Sequence, residues 1–124
     1  MGRVRVLVVD DQAPFRQAAS AVVAAVEGFE LIGTADSGEA AVAAAMDHHP
    51  DLVVMDVSLP GISGLEATRR ITSNPPTAGT RVLLVSTYDA ADFDDVSACG
   101  AGGFLSKTSF DPDHLRSAWQ ALRR

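Results

Sequence analysis

Four short groups of polar residues follow apolar runs in this chain, and they carry the side chains best suited to chemistry. The groups are Asp10 with Asp11, then Asp56, then Ser86 with Thr87, and finally Lys107. Short apolar runs are typical of buried strands, so each group is expected where a strand ends. Carboxylates bind cations, whereas a lysine and a hydroxyl donate hydrogen bonds to an anion. The residue types therefore indicate a site for a cation and an anion together.

A single aspartate at the end of a strand is weak support for such a site, because it more often caps a turn or a helix. Ser86 and Thr87 could likewise cap a following helix, and for Thr87 that interpretation is equally good. The combination of three aspartates with Lys107 favours a functional site over separate caps.

The elements that must position these groups are five strands alternating with five helices. The strands are predicted at 4–9, 29–35, 52–56, 81–85 and 104–105, and the helices at about 13–26, 37–48, 63–73, 89–98 and from 111 onward. Serine or aspartate stands at three helix starts, where it can cap the helix. The helix at 89–98 has few large apolar residues and is expected to be the least stably packed element.

Mostly apolar strands joined by helices indicate an α/β fold, a parallel sheet covered on both faces. Right-handed crossovers leave few strand orders, and we expect 2-1-3-4-5, the doubly wound flavodoxin-like (βα)5 order and one of two common ones. All strands then end at one edge of the sheet. The order reverses between strands one and three, so the three aspartates should meet at the expected ligand crevice.

Three carboxylates in one crevice would raise each other's pKa unless a cation neutralises them. Mg²⁺, a hard ion that prefers oxygen ligands and keeps some of its waters, is the expected occupant. Lys107 and Ser86 would then face an anion on the other side. This arrangement fits phosphoryl transfer with Asp56 as the covalent acceptor.

Four sequence motifs also carry a resemblance to a known family. They are VLVVDD at 6–11, VVMDVSLPG at 53–61, VLLVST at 82–87 and GAGGFLSK at 100–107. Each motif alone is weak, but the four in this order and spacing are highly specific. From Val4 to its last helix the chain resembles the receiver domain of two-component response regulators. The segments GLEATRRI at 64–71 and KTS at 107–109 are most similar to the NarL/LuxR-type subfamily.

The resemblance implies a phosphoacceptor site that depends on Mg²⁺. Asp56 is the expected acceptor of a phosphoryl group from a partner histidine kinase. Asp11 and Asp56 are expected to bind Mg²⁺ directly, together with the backbone carbonyl of Ser58. Asp10 is expected to assist through a water molecule.

The resemblance also implies a conformational switch. Lys107 and Ser86 are expected to contact the phosphoryl group, and Phe104 to change rotamer in concert with Ser86. The surface of the predicted 89–98 helix and the fifth strand would then repack. Homodimerisation is expected, and the output is expected to be transcription, controlled through a separate DNA-binding domain.

Two positions depart from the common family pattern. Ser63 replaces an aspartate at the start of the third helix, where serine caps equally well. Thr108 replaces the proline that often follows the lysine, which leaves the isomer of the Lys107–Thr108 peptide open.

Tyr88 is expected near the dephosphorylation path, where its ring would impede the attacking water.

Length and composition restrict the other possibilities. The chain has 124 residues, 47% of them apolar, so residues 1–124 are expected to form one receiver domain without an output domain. Cys99 is the only cysteine, which excludes an internal disulfide and fits a cytoplasmic protein. There is no apolar run long enough to span a membrane. The net charge of −6 disfavours direct binding of nucleic acid.

Two other function classes use similar residues. A phosphohydrolase or phosphotransferase could use Asp56 as its nucleophile, but it would usually need a general acid at position 58, which is a serine. A flavodoxin-like nucleotide-binding module would need a glycine-rich phosphate loop, and neither of the usual patterns occurs. We therefore expect a signalling phosphoacceptor whose chemistry is limited to its own phosphorylation and dephosphorylation, and not an enzyme that turns over a substrate.

Overall fold

The fold was analysed in a computed structural model that describes residues 3–87 and 99–123. The helix predicted at 89–98 and the position of Tyr88 lie outside the described residues. Among the described residues, every helix is too short or too polar to traverse a bilayer.

Five parallel strands form one sheet in the order β2-β1-β3-β4-β5, which confirms the predicted strand order. The strands are β1 (Val4–Val9), β2 (Phe29–Ala35), β3 (Leu52–Asp56), β4 (Arg81–Ser86) and β5 (Gly103–Ser106). The two last strands are one or two residues longer than predicted, since Ser86 and Ser106 still pair across the sheet. The fold is the expected doubly wound α/β sheet.

Four α-helices lie in the described part of the chain, and they begin where the sequence predicts. They are α1 (Ala13–Ala25), α2 (Gly38–His48), α3 (Gly64–Ser73) and α4 (Pro112–Leu122). Side chains of Ser37, Ser63 and Asp111 accept hydrogen bonds from backbone N–H groups in the first turns of α2, α3 and α4. These bonds satisfy donors that a helix start leaves without partners.

Ser63 and Glu66 have the spacing of a capping box, but only half of the box is formed. Ser63 Oγ accepts a hydrogen bond from Glu66 N at 3.1 Å, as expected. The carboxylate of Glu66, however, pairs with Arg69 and Arg70 at 2.8 and 2.9 Å. Two arginines on the same exposed helix face compete for the carboxylate that would otherwise return to the cap.

The segment between α3 and β4 is more ordered than a surface loop. Residues Pro75–Thr77 form a short 3-10 helix. Thr77 and Thr80 are buried, and their hydroxyls donate hydrogen bonds to the carbonyl oxygens of Ile71 and Pro50. These internal bonds offset the cost of burying the two hydroxyls, which composition alone does not predict.

Alternate side chains of each strand enter one of two cores. The first, which we name the α1–α4 core, lies between the sheet and helices α1 and α4; it includes Val6, Val8, Leu52, Val54, Leu83, Val85, Leu115 and Trp119. The second, the α2–α3 core, lies on the other face; it includes Leu7, Val9, Val53, Met55, Val82, Leu84, Ala67 and Ile71. Because side chains alternate between the two faces along a strand, the position of a residue at the strand end predicts which of the two cores its side chain faces.

Helix α3 begins in close contact with the end of β3. The N–H of Gly64 donates a hydrogen bond to the Val57 carbonyl at 2.9 Å. A Cβ atom at Gly64 would collide with the carbonyl oxygen of Asp56. A glycine is thus required here because the helix start lies directly against the backbone of the strand.

We predict that Gly64→Ala lowers the free energy of unfolding by about 2–3 kcal/mol, because α3 must move away from β3. Urea denaturation followed by circular dichroism measures this change. Gly79→Ala is the matched control, since no atom lies within 4 Å of a Cβ at that position. Its free energy of unfolding should stay within about 0.5 kcal/mol of the wild-type value. Equal effects of the two substitutions would contradict the close approach.

Candidate functional site

Three charged side chains from separate strands meet at the carboxyl edge of the sheet. Asp10 follows β1, Asp56 is the last residue of β3, and Lys107 follows β5. Because side chains alternate along a strand, Asp10 and Asp56 are on the same face of the sheet as the strand residues of the α1–α4 core. The sheet order brings these ends together although the residues are far apart in sequence.

Lys107 lies between the two aspartates. Its Nζ is 2.7 Å from Asp10 Oδ2 and 3.3 Å from Asp56 Oδ2. The side chain of Lys107 is only 13% exposed, and both aspartates are buried. One ammonium group therefore serves two carboxylates in a region with little water, and the trio carries a net negative charge.

Asp10 is fully buried, yet one of its oxygens lacks a hydrogen bond. Its Oδ1 accepts a hydrogen bond from Gln12 N at 2.8 Å. Its Oδ2 is at ion-pair distance from Lys107 Nζ, but the direction of approach is not that of a hydrogen bond. In the described part of the chain, it is the one buried side-chain polar atom without a hydrogen bond. The positive charge of Lys107 at 2.7 Å nevertheless offsets much of the cost of burying this oxygen.

Burial and the neighbouring Asp10 charge raise the pKa of Asp56 from 3.8 to about 6. The Lys107 ammonium and the N–H of Ser58, which donates to Asp56 Oδ1 at 3.1 Å, lower this pKa only in part. For Lys107 itself, burial lowers the pKa, but its contacts with Asp10 and Asp56 outweigh burial and raise it overall. The carboxylates therefore need more positive charge than the lysine supplies.

The donor set fits a hard divalent cation. One carboxylate oxygen from each of Asp10, Asp11 and Asp56 lies within 4.8 Å of the others. Ligands on opposite sides of one Mg²⁺ would be roughly 4 Å apart, so small adjustments suffice. The net negative charge of the cluster and the raised pKa of Asp56 both favour such an ion. The predicted aspartate cluster is therefore present in the structure.

A cleft of about 360 Å³ opens beside this cluster. It is lined by Asp11, Gln12, Asp56, Ser58, Ser86, Thr87 and Lys107. Six of these seven residues come from the polar groups and the motif around Asp56 that the sequence singled out. The cleft has room for a tetrahedral oxyanion beside the Asp56 carboxylate.

Ser86 and Phe104 occupy strand positions that alternate toward the α2–α3 core. Ser86 is buried and lines the cleft, whereas Phe104 is partly buried against the α2–α3 core. Phe104 pairs with Leu84 across the sheet, two residues before Ser86, so both side chains share one face. The rotamer change expected of Phe104 stays a prediction, as does the role of the Ser58 carbonyl.

The peptide after Lys107 is trans, because the described residues contain no cis peptide bond. Residues Lys107–Ser109 form a 3-10 helix whose cap is the side chain of Ser106. Ser106 Oγ accepts a hydrogen bond from Thr108 N at 3.3 Å. This short helix directs the chain from β5 toward α4 without the proline common in the family.

Two residues near the site were not predicted to belong to it. The ring of Phe15 in α1 lies 4.5 Å from Lys107 Nζ, measured to the ring centroid. Arg16 Nη1 donates a hydrogen bond to the Asp10 carbonyl at 2.8 Å. Phe15 falls within the helix that the sequence predicts at about 13–26, and the sequence alone gives it no role in the site. Its place in the first turn after Asp10 and Asp11 was the signal that could have linked it to the site.

Comparison with protein families matches residues 6–120 to the response regulator receiver domain. The chain belongs to this family. Among curated proteins, this receiver domain is similar to response regulator GacA of Pseudomonas aeruginosa, with 37% identity over 122 residues. The match covers 98% of this chain and 54% of GacA. The receiver domain thus spans about half the length of the curated relatives it matches.

Solved structures of receiver domains have the same fold. One is the signal receiver domain of the putative response regulator NarL from Mycobacterium tuberculosis, with 31% identity and a TM-score of 0.83. That match covers 96% of this chain and 98% of the other. Another is CheY in the CheX-CheY-BeF3-Mg²⁺ complex from Borrelia burgdorferi, with 25% identity, a TM-score of 0.83 and coverage of 97% and 89%. The predicted likeness to NarL-type receivers is confirmed.

We predict that Asp56→Asn stabilises the metal-free receiver domain at neutral pH. The pKa of Asp56 is higher in the folded state than its ordinary value of 3.8. The folded state therefore loses stability as the pH rises from about 4 through about 6, where Asp56 must ionise in its buried position. The neutral amide avoids this loss. Urea denaturation in EDTA at pH 7.5 should show a gain of about 1–2 kcal/mol, shrinking toward pH 4.5.

Glu27→Gln is the control, because Glu27 is exposed in the turn after α1. It should change the free energy of unfolding by less than about 0.5 kcal/mol at either pH. A destabilised Asp56→Asn variant at pH 7.5 would contradict the charge imbalance inferred for the site.

Proposed function

We propose that this receiver domain accepts a phosphoryl group on Asp56 from a histidine kinase, in a reaction that depends on Mg²⁺. One observation carries the proposal: the Asp56 carboxylate lines an open cleft, and the Lys107 ammonium and the carboxylates of Asp10 and Asp11 lie close to it. Membership of the receiver family supports the same chemistry. BeF3⁻, an analogue of a phosphoryl group, and Mg²⁺ accompany CheY in the Borrelia burgdorferi complex.

Asp11 and Asp56 would hold Mg²⁺ directly, with the backbone carbonyl of Ser58. Asp11 is exposed to the cleft, whereas Asp10 is fully buried behind it. This difference in burial supports an indirect role for Asp10, through water. The ion would offset negative charge on the phosphoryl oxygens and on the carboxylates.

Asp56 would act as the nucleophile in an in-line transfer. Its carboxylate oxygen forms the new P–O bond while the P–N bond of the phosphohistidine breaks, and the imidazole nitrogen keeps the bonding electrons. With a pKa of about 6, Asp56 is mostly ionised at neutral pH even before a cation binds. Lys107 Nζ, already 3.3 Å from Asp56 Oδ2, would donate a hydrogen bond to a phosphoryl oxygen.

The added charge would select a second conformation of the domain. Ser86 would move to donate a hydrogen bond to the phosphoryl group, and Phe104 would change rotamer on the same face of the sheet. The surface of β5 would then repack, together with the helix that the sequence predicts at 89–98. The signal is a shift between two populations and not the turnover of a substrate.

The remaining assignments concern the protein to which this domain contributes. We propose that residues 1–124 are one receiver domain, that the regulator dimerises, and that a separate DNA-binding domain controls transcription in the cytoplasm. GacA and other curated relatives are about twice as long as this chain, which leaves room for such a domain. The net charge of −6 supports the assignment of DNA binding to another part of the protein.

Incubation with acetyl phosphate and Mg²⁺ tests the proposal through the mass of the intact protein. We predict one added phosphoryl group per wild-type chain, loss of the addition in EDTA, and no addition to Asp56→Asn. Asp51→Asn is the matched control, since Asp51 lies at the opposite end of β3 and is exposed. It should accept a phosphoryl group at the wild-type rate.

Continuous release of phosphate without a stable adduct would instead indicate the phosphohydrolase alternative. A phosphoryl group on Asp56→Asn at the wild-type level would contradict Asp56 as the acceptor. The physiological donor is then tested with a histidine kinase that has autophosphorylated from ATP labelled in its γ-phosphate. Transfer of the radioactive phosphoryl group from the kinase to this receiver domain is the measurement.

A further inference from the structure

The ammonium group of Lys107 contacts an aromatic ring as well as two carboxylates. The ring of Phe15 lies 4.5 Å from Lys107 Nζ, within the range of a cation–π contact. Phe15 is in the first turn of α1, and its ring is partly buried against the α1–α4 core. The contact therefore joins a helix on one face of the sheet to the lysine after β5.

A second ring keeps Phe15 in place. The centroids of Phe15 and Phe110 are 5.8 Å apart, with an angle of 49° between the ring planes. Phe110 is buried and immediately precedes the cap of α4. Tilted aromatic pairs at this distance are favourable, so the Phe15 ring has a defined orientation toward Lys107.

We propose that Phe15 is a positioning residue for phosphoryl transfer: its ring holds the Lys107 ammonium beside Asp56. This inference rests on the function proposed above. A lysine side chain is flexible and strongly hydrated, so fixing its ammonium group in the cleft costs conformational entropy and water contacts. The ring attracts the Lys107 ammonium from one side. It adds no negative charge that would compete with the phosphoryl group for the lysine.

The arrangement leaves the donors of Lys107 available. The aromatic face makes no conventional hydrogen bond with the ammonium group. The ammonium can therefore stay paired by charge with Asp10 while its N–H groups serve Asp56 and, once it arrives, a phosphoryl oxygen. A leucine at position 15 would fill similar apolar space but would leave the ammonium freer to leave the cleft for water.

Phe15→Leu, Phe15→Tyr and Phe110→Leu together test the proposal. Phe15→Leu should slow phosphorylation by acetyl phosphate about 3- to 10-fold, the factor expected when a partly desolvated cation–π contact is lost. Its affinity for Mg²⁺ should not weaken, because Phe15 is not among the proposed ligands. Phe15→Tyr keeps an aromatic face and should retain the wild-type rate within about twofold.

Phe110→Leu is the control for ring packing. It removes the ring–ring contact that orients Phe15, but leucine still packs there and the aromatic face beside Lys107 remains, so phosphorylation should slow by at most about twofold, less than in Phe15→Leu. Equal slowing by Phe15→Leu and Phe110→Leu would overturn the proposal, because packing alone would then explain both.

A spectroscopic measurement tests the contact without phosphorylation. In ¹³C-resolved NMR spectra, the ε-methylene protons of Lys107 should be shifted upfield by the Phe15 ring current. The shift should persist in Phe15→Tyr and disappear in Phe15→Leu. An unshifted Lys107 in the wild-type protein, or a wild-type phosphorylation rate in Phe15→Leu, would overturn the proposal. If the wild-type domain accepts no phosphoryl group, the proposed function fails, and the NMR result still decides whether the ring holds the lysine.

Discussion

The site depends on one electrostatic constraint: two buried aspartates share a single lysine. Lys107 lies 2.7 Å from Asp10 and 3.3 Å from Asp56, so each carboxylate receives only part of its positive charge. Removing carboxylates from water is costly, and an ion pair recovers that cost only when its geometry and its hydrogen bonds are good. Burial, together with an Asp10 charge that Lys107 offsets only in part, raises the pKa of Asp56, so the site keeps a deficit of positive charge. A divalent cation would correct it, and a phosphoryl group would then have an attractive place to bind.

The fold creates this imbalance through strand order and strand alternation. Placing β1 between β2 and β3 brings Asp10 beside Asp56, and β5 contributes Lys107 from the edge of the sheet. The charged trio follows the strand positions that face α1, whereas Ser86 and Phe104 follow those that face the α2–α3 core. The proposed switch would use residues of β4 and β5 to connect a change in charge at the cleft with packing in the α2–α3 core.

Sequence patterns predict the fold well because they are dictated by local chemistry. Apolar runs define the strands, serine and aspartate caps define the helix starts, and right-handed crossovers restrict the strand order. The same rules predict that Asp10, Asp56 and Lys107 share an edge of the sheet. They do not predict where a long flexible side chain ends, so the contacts of Lys107 with Asp10 and with the ring of Phe15 emerge only from the structure. The rules also do not predict which of several partners a charged side chain contacts. Glu66, for example, pairs with two arginines instead of returning to the helix cap.

The most direct test of the central claim is a pH titration of the Asp56 carboxyl carbon by ¹³C NMR, in EDTA and in saturating Mg²⁺. The charge imbalance predicts a midpoint near 6 in EDTA. It predicts a fall to well below the ordinary value of about 4 when Mg²⁺ is bound, because the cation favours the ionised form. A midpoint near 4 under both conditions would contradict the account, since the site would then have no deficit of positive charge for a cation to fill.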